Sequence, residues 1–402
     1  MDQELKKSID TYFRTRTKGQ KGVIQDYILV PEKNHDITLC DNDYLNLVNN
    51  EKVLDSQIVD LQLSAGRGVV MSPVFLGYDD PQYTLENNMG AWFGKQCHLA
   101  QSGYNANSGL VQAICKSGTH VYADLFLHLS FYDSLAAKGA LLHLNRHNDT
   151  AQLEANIKKH GPGVILVESL YSTTGTYCPL EEIVRIKKQY NCVLVLDESH
   201  SFGTCHSKGY AHMKGLQDDV DFITASLAKA YATRAGVVFS PNTRFVKEHS
   251  FTYAFSSGLL RNDIVRIEAM WEVIKAADDR RQTLLTASKL LRSELSTVAS
   301  LTTLEGQLPS AIVALRVKDE DEMVRLHRFL SKNGILGAPF FPPTTPVGSP
   351  IMRLSVHSNI SKDDISRVRR VVAEFYGKED TVRGYAKFNT PVAANLELMT
   401  SV

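Results

Sequence analysis

The 402 residues are 43% hydrophobic and 22% charged, enough for a sizeable buried core and more chain than one core usually sustains, so two unequal domains are expected. Lys plus Arg and Asp plus Glu balance at 44 each, so no global field favours nucleic acid or an anionic membrane surface, and small-molecule chemistry becomes the default. Six cysteines without a CxxC pair, a polar start, and no apolar run near the roughly 18 residues that span a bilayer argue against a zinc or disulfide framework and a membrane anchor, and point to a cytoplasmic protein.

Residues 1–45 read as a helix from Gln3 to about Thr15 and an irregular arm containing Lys18-Gly-Gln-Lys-Gly22 and Pro31. A large domain is expected over 46–275 and a smaller one over 276–402, ending in a surface tail from about 377. Gln101-Ser-Gly-Tyr-Asn-Ala-Asn-Ser-Gly109 sets small and polar residues ahead of an apolar helix (Leu110, Val111, Ile114). Backbone N–H groups there can face an anion such as phosphate, or Ser102 is simply an N-cap. In Asp124-Leu-Phe-Leu-His128-Leu-Ser130 the imidazole is placed to stack on a flat ring or to sit satisfied in the core.

From Gly163 to Asp197 an apolar run (Val164 to Val167), an amphipathic stretch and a second apolar run (Val193 to Leu196) spell a βαβ unit. Its helix takes Pro179 at the first helical position, Glu181 and Glu182 at the positive end, Lys187 and Lys188 at the negative end and Asn191 as the stop, with Leu180, Ile183 and Val184 as the buried stripe. A crossover of that length implies a parallel sheet covered by helices, with ligands beyond the carboxyl ends of the strands. Glu168 and Ser169 end the first strand, and Asp197, Glu198 and His200 end the second. Thr224, Ser226 and Lys229 follow a third run, Val220 to Ile223, and one pocket can collect them all.

A carboxylate at Asp197 wants a cationic partner, such as a protonated heteroaromatic nitrogen, unless it caps the next segment. Lys229 sits in Thr224-Ala-Ser-Leu-Ala-Lys229, where apolar neighbours would desolvate an amine into the nucleophilic range; a surface lysine that snorkels is the other reading. Beyond 275 come a helix (Arg281 to Val298), a strand (Ala311 to Val317), a helix (Asp319 to Asn333) and a strand (Ile351 to Val356), a smaller α+β pattern. Arg353 lies between Met352 and Leu354, either as a bidentate carboxylate clamp or as an edge-strand salt bridge. An anion loop near 102, a ring-stacking His128, a carboxylate at 197, a lysine at 229 and a clamp at 353, in that order, together describe a pyridoxal-phosphate site.

Asn42-Asp-Tyr-Leu45, Ser102-Gly-Tyr-Asn-Ala-Asn107, Asp197-Glu-Ser-His200, Thr224-Ala-Ser-Leu-Ala-Lys229 and Arg353-Leu-Ser resemble the α-oxoamine synthases. The fold this implies is α/β: a fold-type I pyridoxal-phosphate-dependent transferase, aspartate-aminotransferase-like, with a large mostly parallel sheet domain and a smaller α+β C-terminal domain. By the same resemblance Lys229 is the Schiff-base lysine, Asp197 the partner of the pyridine nitrogen, His200 a donor to the ring hydroxyl and His128 the stacking residue. Ser102, Gly103, Tyr104 and Ser226 fall to the phosphate, Glu168, Ser172 and Thr224 to the cofactor's surroundings, and Arg353 with Asn42 to the substrate carboxylate. Phe255-Ser256-Ser257-Gly258 resembles the segment that reaches a neighbouring subunit's phosphate, which implies a homodimer.

His160-Gly-Pro-Gly163, Tyr171-Ser-Thr-Thr-Gly-Thr176 and Asp279-Arg-Arg-Gln282 are similar to the α-hydroxyketone autoinducer synthase branch of bacterial quorum sensing. That branch implies condensation of a medium- or long-chain acyl-CoA with 2-aminobutyrate or S-adenosylmethionine, with decarboxylation to an α-aminoketone and no metal. The alternatives are a biosynthetic α-oxoamine synthase, similar to 8-amino-7-oxononanoate synthase or 2-amino-3-ketobutyrate CoA ligase, or a non-catalytic partner subunit. Thr174 and Thr176 stand where most of the family has an acidic pair, and Ala228 where it has a serine. Apolar Val69-Val-Met-Ser-Pro-Val-Phe-Leu76 replaces a Gly-Ser-Arg signature, either as the wall of an acyl channel or as a packed loop.

Overall fold

The computed structural model describes residues 3–4, 6–7, 35–64, 70–299, 308–341, 344–345 and 348–378. Residues 3, 4, 6 and 7 are helical, while the remainder of the first helix, the arm to residue 34 and the tail beyond 378 lie outside the described residues. The strands in chain order are β1 (Ile37–Leu39), β2 (Gln96–Ala100), β3 (His120–Asp124), β4 (Leu141–Asn145), β5 (Val164–Glu168), β6 (Val193–Asp197), β7 (Phe222–Ser226), β8 (Gly236–Ser240), β9 (Ile312–Arg316), β10 (Ile335–Phe340) and β11 (Ile351–Ser355).

Seven strands form one sheet in the order β2-β8-β7-β6-β5-β3-β4, in which β8 alone runs antiparallel to its neighbours. The sheet is buried on both faces, which is why β5 is a continuous apolar run and not an alternating one. Ile165 and Val167 pack into one apolar cluster while Val164 and Leu166 pack into a second, as a period of two requires. Parallel register brings Glu168 opposite Asp197, and Asp197 opposite Thr224, so the polar strand ends lie in a row.

The other sheet has the order β1-β10-β11-β9, so a short N-terminal strand completes a sheet built from the C-terminal part. Helix Leu180–Tyr190 buries Leu180, Ile183, Val184 and Ile186 and is closed by Asn191 in the left-handed conformation, φ 52°. Pro179 is its N-cap and not its first helical residue. The third strand runs Phe222–Ser226, later than the apolar run at 220–223, because pairing with β6 and β8 outweighs the polarity of Thr224 and Ser226. Two helices in the C-terminal part also shift by a few residues, to Asp278–Ser296 and Glu320–Lys332, the second capped by the Asp319 side chain. The last helix, Lys362–Lys378, continues past the point where the tail was expected to begin.

A hairpin after β5 links the two sheets. Leu170 bridges Tyr177, Tyr171 N donates to Thr176 O at 3.0 Å, and Gly175 N donates to Tyr171 O at 2.9 Å. Gly175 takes φ 67°, a Cβ on it would run into the Ile312 carbonyl of β9, and its own carbonyl accepts from Ser310 Oγ at 2.8 Å. A side chain there meets both a disfavoured backbone conformation and a backbone wall. Gly175→Ala is expected to cost at least ~2 kcal/mol in a denaturant titration; unchanged stability would mean the hairpin tip is free to move off β9.

Candidate active site

The parallel strand ends and the small sheet border a cavity of about 290 Å³ lined by Leu125, Phe126, Leu127, His128, Leu129, Ser172, Thr173, His200, Lys229, Phe340, Thr344 and Arg353. Lys229 follows β7 in a tight loop, closed by Leu227 N donating to Ala235 O at 2.9 Å and Ala232 N donating to Lys229 O at 2.8 Å. Burial, reinforced by the Arg353 charge and only partly offset by Asp197 and Glu168, lowers its amine to about 8. That is the desolvated lysine of the sequence reading and not a snorkelling one.

Asp197 is buried at the end of β6, where Oδ1 accepts from Ser199 N at 2.8 Å and Oδ2 from Asn107 Nδ2 at 2.7 Å. Among the described residues no Lys, Arg or His forms an ion pair with it, so a cationic ligand atom remains its natural partner. Glu168, beside it in register, is pushed well above the usual carboxylate range by burial and then by the Asp197 charge. Its Oε2 accepts from Ser172 N at 3.0 Å, and its Oε1 is buried without a partner.

His128 faces the cavity, with Nδ1 accepting from Ser130 N at 3.2 Å and lying 2.8 Å from Ser130 Oγ, which places the proton of the neutral ring on Nε2. Burial lowers its pKa against the pull of Asp197, and the Lys229 charge adds to the lowering. His200 is driven well below its ordinary value by burial and by the Lys229 and Arg353 charges. Its Nδ1 lies 2.7 Å from the Tyr44 hydroxyl, which is also 3.1 Å from Asn42 Oδ1. Asn42 and Arg353 meet as expected, Nη2 donating to Asn42 Oδ1 at 3.3 Å.

Arg353 is buried on β11, an interior strand of its sheet, so the edge-strand salt bridge is excluded. Its Nη1 donates to Ser172 O at 3.1 Å, its guanidinium carbon lies 4.8 Å from the Phe340 ring, and Nε has no partner. A buried guanidinium held by neutral groups, with no carboxylate paired to it among the described residues, suits an incoming anion.

Ser102 caps helix Gly103–Ile114 by accepting from Asn105 N at 3.1 Å. Gly103 sits so tightly on β7 that a Cβ would lie 2.5 Å from Ser226 Cβ, leaving a cradle of backbone N–H groups at a helix start. Ser226 N itself donates to Ser199 Oγ at 2.9 Å. Tyr104 is half exposed, its hydroxyl donating to Asp133. Thr224 Oγ1 and Asn107 Oδ1 are buried without partners beside Asp197. These open polar atoms, the bare carboxylate, the cradle and the lysine fit pyridoxal phosphate.

Ser256 and Ser257 do not line the cavity of the single chain; Ser256 Oγ donates to Thr252 O, next to the exposed Phe255. Nor do residues 70–76 line it. Val70 is 77% and Phe75 65% exposed, and this segment is tied to the 254–258 loop by Gly258 N donating to Met71 O at 2.8 Å and Ser72 Oγ donating to Ala254 O at 2.7 Å. Sequence reasoning missed Asn107, Ser130 and Tyr44 as site residues. Asn107 carried a signal, a polar residue on the buried face of Ala106, Leu110 and Val111, and Phe340 carried none.

The model of the family Aminotransferase class I and II matches residues 34–372. CAI-1 autoinducer synthase of Vibrio campbellii is 38% identical over 345 residues, covering 85% of this chain and 86% of that protein. Serine palmitoyltransferase of Caulobacter vibrioides is 27% identical over 351 residues, covering 84% of this chain and 85% of that protein. A high-resolution structure of SPT with a PLP internal aldimine shares the fold with TM-score 0.79 at 23% identity, over 87% of this chain and 88% of that one. With Lys229 read as the Schiff-base lysine, its free amine would be the nucleophile, and the rate at which cofactor-free protein takes up pyridoxal phosphate should rise with pH to a plateau, with an apparent pKa of about 8 in stopped-flow absorbance. A rise that continues past the range of an ordinary lysine would contradict the desolvated setting.

Proposed function

The chain belongs to the class I and II aminotransferase family, and from that premise we propose that it joins a medium- or long-chain acyl-CoA to 2-aminobutyrate or S-adenosylmethionine, making the α-aminoketone precursor of an α-hydroxyketone autoinducer. The observation that carries this is one cavity with the Lys229 amine and the unpaired Arg353 guanidinium in its wall and Leu125, Phe126, Leu127 and Leu129 beside them. Its cofactor is pyridoxal phosphate, as in the SPT structure with this fold. When bound, that group supplies an electron-withdrawing protonated ring joined through its aldehyde to the amino acid.

Asp197 would pair with the ring nitrogen, oriented by Asn107 and the Ser199 N–H. His128 would cover the ring, fixed by Ser130. His200 would donate from Nε2 to the ring oxygen, which requires Tyr44 to donate to Nδ1, the shorter of its two contacts. Gly103, Tyr104 and Ser226, with the capping Ser102, would hold the phosphate from β7 and the helix start, while Thr224, Glu168 and Ser172 close the surroundings. Arg353 and Asn42 would grip the amino acid's carboxylate and fix its α-carbon near Lys229. Lys229, with a proton affinity already lowered, would take the α-proton at Nζ. The α-carbon would then bond to the acyl carbonyl carbon as the C–S bond breaks and CoA leaves as its thiolate, and the carboxylate would leave as carbon dioxide, the electron pair left on the α-carbon taking back the proton from Lys229 Nζ.

A second copy of the chain is the natural cover for Phe255 (82% exposed) and the apolar residues of 70–75, and it would bring Ser256 and Ser257 to the partner's phosphate. Phe255→Asp should therefore shift the protein toward monomer in sedimentation and weaken cofactor retention together.

Lys229→Ala should remove both the visible absorbance of the bound cofactor and all turnover; turnover retained would sink the assignment. Mass spectrometry of products from an acyl-CoA panel should show longer chains preferred with 2-aminobutyrate or S-adenosylmethionine. Preference for short acyl groups with glycine or alanine would instead mark a biosynthetic synthase, and a protein without absorbance or turnover a non-catalytic subunit.

A further inference from the structure

The cavity wall holds a hydroxyl that the chemistry above does not use. Thr173 is 1% exposed and lines the cavity beside Ser172 and Arg353, yet its Oγ1 has no hydrogen-bond partner. The neighbouring hydroxyls are different: Thr174 Oγ1 lies 2.7 Å from Thr176 Oγ1, and Thr176 Oγ1 lies 2.6 Å from His147 Nε2. Burying a hydroxyl with nothing to bond is destabilising, and valine would fill the same wall with the same shape.

The backbone that carries Thr173 cannot turn away. Its hairpin is anchored at the base by the Thr176–His147–Asp124 chain, in which His147 Nδ1 donates to Asp124 Oδ1 at 2.9 Å. At the tip it is anchored by Ser310 Oγ donating to Gly175 O at 2.8 Å. Arg353 Nη1 donates to Ser172 O at 3.1 Å, so the guanidinium is fastened to the peptide group that leads into Thr173. Oγ1 is itself shut off from solvent where it stands, so presenting it to a ligand in the cavity takes a turn about χ1, which leaves the chain in place.

We infer that Thr173 is a specificity residue that donates a hydrogen bond from Oγ1 to the carboxylate of the bound amino acid, beside Arg353. This rests on the proposed reading of the cavity as an amino-acid site. An α-amino acid then finds two kinds of donor on one wall, whereas an amine without a carboxylate leaves both unsatisfied. Discrimination of that kind is strong because the unpaired groups belong to the site.

The test uses cofactor-loaded protein titrated with 2-aminobutyrate and with 1-aminopropane, which lacks only the carboxylate, following the visible absorbance of the bound cofactor. Thr173→Val should weaken binding of the acid about ten- to hundredfold and leave the amine's unchanged, with no lower unfolding midpoint. Thr173→Ser should restore binding of the acid. Equal weakening for acid and amine, or weakening for neither, overturns the inference. If the valine variant folds poorly, Thr173→Ala goes through the same titrations. Arg353→Gln separates the two failures. If it weakens only the acid while Thr173→Val does not, the hydroxyl's role falls and the clamp stands; if it too leaves the acid unaffected, the amino-acid reading of the cavity falls.

Discussion

Two carboxyl groups that enter one buried space set the terms for everything around them. Glu168 and Asp197 end adjacent parallel strands in register, and both are shielded from water. Two bare charges so placed repel too strongly to coexist in a poorly polarisable setting. The structure separates them by their donors: Asp197 has a backbone N–H and the Asn107 amide, whereas Glu168 has the Ser172 N–H and one oxygen left bare. Glu168 is accordingly the carboxyl that keeps its proton, raised by burial and by its neighbour's charge. Lys229 feels both groups, yet burial and Arg353 prevail, so the site holds an amine that loses its proton readily.

The geometry of that arrangement depends on a join between sheets. Lys229, Asp197 and His200 belong to the seven-stranded sheet, and Arg353 belongs to the four-stranded one. The 169–178 hairpin spans the gap, with one end tied to Asp124 through His147 and the other pressed on β9, and its Ser172 is bonded on one side to Glu168 and on the other to Arg353. Asn42 gives a second tie, since its amide oxygen receives Arg353 while the same oxygen meets the tyrosine that touches His200. The guanidinium is thus held in the site by two short hydrogen-bonded routes, one through Ser172 and one through Asn42, and on the proposed reading a carboxylate bound there would be kept at a fixed distance from the lysine.

Much of this was legible from the sequence where pattern and chemistry coincide. The βαβ unit from 163 to 197 could be read because buried parallel strands are continuous apolar runs and the helix between them carries its own punctuation. Asp197, His200, Lys229 and Arg353 could be read because charged or polar residues in apolar company require a reason. Strand β7 was misplaced at its ends because Thr224 and Ser226 are polar, and pairing, invisible in one dimension, decided their conformation. Strand β1 escaped notice because three residues give no period and its partner lies some three hundred positions away in the chain. The supporting atoms were harder still. Nothing local to Ser130 or Tyr44 says that each steadies a histidine, and the Phe340 ring under Arg353 is an ordinary aromatic until the fold places it there.

On the proposed reading, the apolar wall would tie the proton chemistry to the choice of acyl substrate. Leu125, Phe126, Leu127 and Leu129 line the same cavity as the amine and the guanidinium, so an apolar wall stands in the same space as the desolvated lysine. Each methylene laid on such a surface is worth about 0.8 kcal/mol, enough for a few carbons to outweigh any preference set at the thioester itself. Polar replacements in that wall would therefore change two properties at once, returning the lysine toward its ordinary basicity and removing the advantage of a longer chain. Chain length and proton affinity would thereby be coupled through one stretch of five residues, because a water-poor wall is what both of them require.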